Sequence, residues 1–177
     1  MSDQKLSLGF KVKRSVVSTS LLALGVAFEM VSKGDDDLKR ELVDWEEGKV
    51  FSLAVFPDGP SVTMKKQDGR IHYLGKGIKE NPTLIIYFKN LDCALLPFTG
   101  QMGSHTAFAQ HRAILHGPVK DAMQISRAMA TVQKYLMPGF IFKTLFKRAP
   151  KMSGKQLLLK AKVMTLIGAG LALNASK

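Results

Sequence analysis

The sequence predicts an α+β fold, an antiparallel sheet with helices packed over it, and three observations carry that expectation. Apolar residues recur every three or four positions before residue 48, alternate from Lys49 onward, and return to the helical period after Pro118. Turn residues cut the alternating stretch into short runs. With 177 residues, 46% apolar and 23% charged, the chain can bury one core and is too apolar for wholesale disorder.

Val17, Leu21, Leu24, Phe28 and Val31 are spaced 4, 3, 4 and 3 apart, which makes the first helix amphipathic. The run Val16 to Phe28 follows Lys5, Lys11, Lys13 and Arg14, as a signal segment would. Ser15, Ser18, Thr19 and Ser20 dilute it, and a core helix is the better reading. Asp35 to Glu47 keeps Leu38, Leu42 and Trp45 on one side, a short second helix with Asp35 or Asp36 as its N-cap. From Lys49 the period is two. Phe51, Leu53 and Val55 alternate with Ser52, Ala54 and Phe56 up to the turn Pro57-Asp58-Gly59-Pro60. Val62 and Met64 alternate with Thr63 and Lys65, Asp68-Gly69 turns tightly, and Ile71 and Tyr73 follow.

Thr83 to Phe88 is nearly all apolar, as in an interior strand covered on both faces. Four strands, each one short turn from the next, predict a meander. Short helices at Leu91 to Phe98 and Thr106 to Gln110 precede a fifth strand at Arg112 to His116. Pro118 opens a helix whose Ala122, Ile125, Met129, Val132 and Leu136 repeat 3, 4, 3, 4 until Pro138-Gly139. After a break at Pro150 to Gly154 a last helix begins near Lys155. Residues 1–149 are thus expected to form one domain and 150–177 a basic, amphipathic helical extension.

Chemistry is hard to find in this chain. Cys93 is the single cysteine, which rules out an internal disulfide or a four-cysteine metal site. Flanked by an apolar helix it reads as buried filler, not as a nucleophile. His72, His105, His111 and His116 contain no HExxH pair, and a spacing of five stacks no two ligands on one face. No metal is expected. Gly69 to Lys76 lacks the spacing and the hydroxyl of a phosphate loop, and Gly168-Ala169-Gly170 lacks the strand and third glycine of a dinucleotide fingerprint. No cofactor and no catalytic residue are assigned, and the chain is read as a non-enzyme.

Charge and soft apolar bulk remain. The net charge is +12, and residues 119–177 hold eleven cations against one carboxylate beside an acidic stretch at 35–58. Nucleic acid is a weak partner here, because the cations are mostly Lys on helices, with no strand platform of aromatics among Arg. An anionic membrane surface fits better. Nine Met and ten Phe include Met102, Phe108, Met123 and Met129 in the helical cover, where they suit either an ordinary core or a cavity with irregular contents.

Residues 83–123, TLIIYFKNLDCALLPFTGQMGSHTAFAQHRAILHGPVKDAM, resemble the sterol carrier protein type-two lipid-transfer family. Asp92 takes the family's acidic position, Leu96 to Gly100 (L-P-F-T-G, one residue longer) stands at its Leu-x-x-Gly helix end, Ala107-Phe108 at the start of the next helix, and Gly117 at the close of the strand. Gly48 to Gly69 is similar to the family's first hairpin, so the likeness spans about 45–136. His111 departs from the pattern, which has Gly there. The resemblance implies a five-stranded, mainly antiparallel sheet and helices enclosing an apolar tunnel for a fatty acyl chain, sterol or similar lipid. The implied role is non-enzymatic lipid binding and transfer, or else an accessory role presenting a hydrophobic intermediate, such as a quinone precursor, to biosynthetic enzymes.

Strand alternation and helix period place Phe51, Leu53, Phe88, Phe98, Met102, Phe108, Leu115, Met123 and Met129 on one interior as the expected lining. Phe140, Phe142, Leu145 and Phe146, interleaved with Lys143, Lys147 and Arg148, are the expected membrane contact. The last helix either swings out with them or packs on the first helix and seals the core. Without disulfides, and ending Ala-Ser-Lys and not in a peroxisomal address, the chain is expected in the cytoplasm, peripheral on membrane.

Overall fold

A computed structural model of the chain describes residues 8–98, 102–136 and 152–175. The order of elements is α1 (Leu8–Gly34), α2 (Asp36–Val43), β1 (Val50–Val55), β2 (Ser61–Gln67), β3 (Arg70–Lys76), β4 (Leu84–Phe88), α3 (Leu91–Phe98), α4 (Ser104–Ala109), β5 (Ala113–His116), α5 (Val119–Leu136) and α6 (Gly154–Ala175). This is an α+β fold on a five-stranded, mainly antiparallel sheet, with helices at both ends of the described chain.

By length and composition α1 could cross a membrane, but its stripe Val17, Leu21, Leu24, Phe28 and Val31 is fully buried. It lies on β2 and β3 and also meets α3, α5 and α6. Asp35 caps α2, its carboxylate accepting the Leu38 N–H at 2.8 Å. The Asp68-Gly69 turn joins β2 to β3 with both residues at positive φ, the geometry of a two-residue hairpin loop.

The meander gives way to another order. The strands run β3-β2-β1-β4-β5, and β4 pairs with β1 in parallel, Phe51 opposite Leu84 and Val55 opposite Phe88. The connection 77–83 therefore crosses the sheet. Its backbone is pinned on the way: the Gly77 carbonyl accepts the Thr63 hydroxyl at 2.7 Å, the Lys79 N–H donates to Thr63 Oγ1 at 3.0 Å, and the Thr83 N–H reaches the Val50 carbonyl at 2.9 Å. Ser52 and Thr63, paired across β1 and β2, are buried and share a 2.7 Å hydrogen bond. Both faces of β1 are covered as a result, by helices over Phe51, Leu53 and Val55 and by the crossing segment over Ser52. A two-residue period is blind to this, because it states which side chains share a face and not which strands are neighbours.

Phe51 sits at the centre of the core, met edge-on by Phe28 at 5.9 Å and Trp45 at 5.8 Å. The last helix packs on α1 and α5. Val163 is buried there, and Gly34 lets Leu159 approach so closely that an added Cβ would stand 2.9 Å from its methyl. At this seam one carboxylate ties three helices. Asp35 accepts from Tyr135 at the end of α5, from Gln156 in α6 at 3.1 Å, and from the first turn of α2. Burial pushes the Asp35 carboxyl up, but these three donors outweigh it and hold it below the ordinary carboxylate range. The Tyr135 hydroxyl is pushed up, first by burial and then by the Asp35 carboxylate beside it.

Candidate functional site

At the β5 edge the cover thins. Leu115 pairs with Ile86 and so shares the helix-facing side of the sheet, but α1 lies over the opposite edge. The short α4 packs on β5, and α5 packs beside it on α4 and β4. Between them opens a groove of about 540 Å3, lined by Phe108, Leu115, Val119, Ala122, Met123, Ser126 and Arg127. Val119 is 64% exposed and Met123 59%, so the rim is apolar and wet. A close contact fixes the end of the strand beside it. Gly117, at φ +134°, ends β5 where a Cβ would stand 2.5 Å from the Thr83 carbonyl oxygen, so only glycine lets the two segments meet. At the other end of β5 His111 takes a φ of +54°, a left-handed conformation suited to the Gly it replaces in the motif.

The polar members of the groove differ in kind. Arg127 is clamped on the carboxylate of Glu41 in α2, Nε at 3.0 and 3.1 Å and Nη2 at 2.8 Å, and this carboxylate raises the guanidinium pKa further. Ser126 is 4% exposed and its hydroxyl has no hydrogen-bond partner among the described residues. Beyond Met123 the surface turns polar, where Asp44, Lys120, Gln124 and Arg127 line a second recess of about 550 Å3.

The nine residues expected on one interior divide. Phe108, Leu115 and Met123 meet in the groove. Phe51, Leu53 and Met129 lie in the closed core, and Phe88 is buried edge-on against the half-buried Phe98 at 5.3 Å. Met102 is half-buried between α3 and α4, its N–H bonded to the Leu96 carbonyl at 3.2 Å. The membrane-contact set, Phe140, Phe142, Lys143, Leu145, Phe146, Lys147 and Arg148, lies outside the described residues. Val119, Ala122, Ser126 and Arg127 join the groove without being among the nine expected residues. Their signal is a second row on α5, with Val119, Met123 and Ser126 at i, i+4 and i+7 beside the buried stripe. Among the described residues no three His, Cys, Asp or Glu side chains converge as metal ligands would.

Neither a protein-family model nor a curated protein matches the chain. Solved structures do. The fold is similar to sterol carrier protein type-two structures. One is TT1886, a conserved hypothetical protein of Thermus thermophilus described as possibly a sterol carrier protein, at 15% identity and a TM-score of 0.48, covering 64% of this chain and 82% of that one. A UbiJ-SCP2 ubiquinone synthesis protein shares 11% identity at a TM-score of 0.43, over 69% of this chain and 96% of its own. Sterol carrier protein 2 like 2 of Aedes aegypti shares 13% at 0.35, over 55% and 94%. At these identities what those proteins bind stays with them.

Proposed function

We propose that the chain binds a lipid-like molecule in the groove between β5, α4 and α5 and carries it without chemical change. The observation behind this reading is the lining itself: Phe108, Leu115, Val119, Ala122 and Met123 surround a space of about 540 Å3 that opens to water, within the roughly 300–1,000 Å3 usual for small-ligand sites. Apolar surface held in water is unfavourable by about 25 cal/mol per Å2, so a ligand that covers it gains most of its affinity there. The groove supplies little for catalysis. Among the described residues no base is hydrogen-bonded to Ser126, and Arg127 is already neutralised by Glu41.

Delivery belongs to the basic C-terminal third. Phe140, Phe142, Leu145 and Phe146 offer insertable bulk and Lys143, Lys147 and Arg148 offer cations, each gaining about 1 kcal/mol near an anionic surface. This favours transient docking on the anionic face of a membrane, from the cytoplasm. Presentation of a hydrophobic intermediate to an enzyme through the acidic stretch has less to stand on. Asp36 is paired with Lys39, Asp37 with Arg40, Glu41 with Arg127 and Glu47 with Lys66.

Displacement of the neutral fluorophore N-phenyl-1-naphthylamine tests the groove. Met123→Asp puts a carboxylate on an exposed rim position, so the chain should fold while probe affinity falls about tenfold. Unchanged affinity would refute the site. Docking is read by co-sedimentation with vesicles containing phosphatidylglycerol. Binding should rise with the anionic fraction, fall with salt, and be lost on charge reversal at Lys143, Lys147 and Arg148.

A further inference from the structure

Ser126 is the feature of the groove that a hydrocarbon cannot explain. A serine inside a helix ordinarily returns its hydroxyl to the carbonyl one turn back. Thr131 does so toward Arg127 at 3.4 Å in the same helix, and Thr165 toward Ala161 at 2.9 Å in α6. Ser126 does not: the residue lines an otherwise apolar groove, and its Oγ, buried beneath that surface and one χ1 rotation away from facing it, is without a partner among the described residues. Buried hydroxyls are almost always bonded, and an unbonded one is an uncompensated loss of hydration.

We propose that the ligand of this groove is an amphiphile bearing one uncharged oxygen, a hydroxyl or a carbonyl, seated against Ser126, with its hydrocarbon part over Phe108, Leu115, Val119 and Met123. The proposal rests on the groove-binding reading above and names the class of molecule it takes. A hydroxyl can donate to a carbonyl or exchange a hydrogen bond with an alcohol, so either oxygen satisfies it. A carboxylate fits poorly. The groove's cation, Arg127, has its Nε and Nη2 committed to Glu41, while Lys120 lies past Met123 in the polar recess with Asp44. An anion drawn into the groove would lose its water and find no uncompensated charge among the described lining residues.

The test uses the full chain and three ten-carbon competitors for N-phenyl-1-naphthylamine: 1-decanol, decane and decanoate. Ser126→Ala replaces the residue with a better helix former and keeps the fold, checked by circular dichroism. The affinity ratio of decanol to decane should fall about tenfold from wild type to Ser126→Ala, with decane itself moving little. Wild type should bind decanol more tightly than decanoate. An unchanged ratio in the variant, or decanoate as the tightest ligand of the wild type, would overturn the assignment of Ser126 while leaving the groove intact as a binding site. Failure of the wild type to bind the probe and all three competitors would overturn the groove reading and this assignment with it.

Discussion

Beneath α1, the side chains of Phe51, Leu53, Val62 and Met64 are shut away from water, whereas at the other edge of the same sheet Leu115 and Phe108 are half-buried and Val119 and Met123 face solvent. The residue types are alike. What differs is the roof. A helix of 27 residues lies across β2 and β3, while a four-residue strand and a six-residue helix close the β5 edge. An apolar side chain thus becomes closed core or open groove according to how much helix its neighbourhood can spare. The two regions should answer substitution in opposite ways, the first in stability and the second in ligand affinity.

The largest effect belongs to the sealed side. Phe51→Ala removes a ring held edge-on by Phe28 and Trp45 with no room for water to follow, and should cost about 3–5 kcal/mol by chemical denaturation. A loss below about 1 kcal/mol would mean that this region is as loosely filled as the groove. Next in size is the seam that fastens the last helix over it. Tyr135→Phe strips one donor from the buried Asp35 carboxylate and should cost roughly 1–3 kcal/mol. The pH dependence has a definite sign. Asp35 titrates below its ordinary value in the folded chain, so its stabilisation is present above about pH 4 and is lost as pH falls through the lowered pKa. In Tyr135→Phe that pKa rises toward normal, and thermal unfolding between pH 2 and 6 should show a smaller loss on acidification than in the wild type.

Much of the sealed side is written in the chain. The five-residue stripe of α1, the Asp35 cap, the Asp68-Gly69 turn and the buried stripe of α5 follow from period and turn chemistry, which are local. The crossing of 77–83 is not local. Ser52 and Thr63 read as the outward-facing members of their strands and are instead buried, because a segment remote from both lies over them. Their positions directly opposite one another on β1 and β2 were the available hint. The groove was legible only in part for a related reason. Periodicity brought Phe108, Leu115 and Met123 together with Phe51, Leu53 and Met129, since it reports a shared face and is silent on where α1 stops covering that face.

A smaller effect of opposite sign is expected where the open side begins. His111 holds a left-handed φ that costs an L-residue about 1–2 kcal/mol, and glycine escapes that cost while giving back about 0.5–1 kcal/mol of unfolded-state entropy. His111→Gly should therefore stabilise the chain by up to about 1 kcal/mol in urea titration. Destabilisation would show that the imidazole makes a contact worth more than the backbone strain, and that the entrance to β5 is tied down more firmly than the groove beside it.

The smallest change in stability should come at the rim itself. Met123 is more than half exposed, so truncating it removes little that folding had buried, and Met123→Ala should shift the unfolding free energy by no more than about 0.5 kcal/mol. The same truncation takes one wall from the groove. N-phenyl-1-naphthylamine should bind several-fold more weakly, since each methylene no longer covered by the ligand forfeits about 0.8 kcal/mol of transfer free energy. The two readings, measured on one protein, separate core from site. A loss of about 2 kcal/mol or more in stability, the range of a buried Met truncation, would place Met123 in the packed interior beside Met129, and the contrast between the two edges of the sheet would disappear. Unchanged stability with unchanged probe affinity would leave the edge open but unused, and would move the search for the ligand to the polar recess that Met123 shares with Lys120 and Gln124.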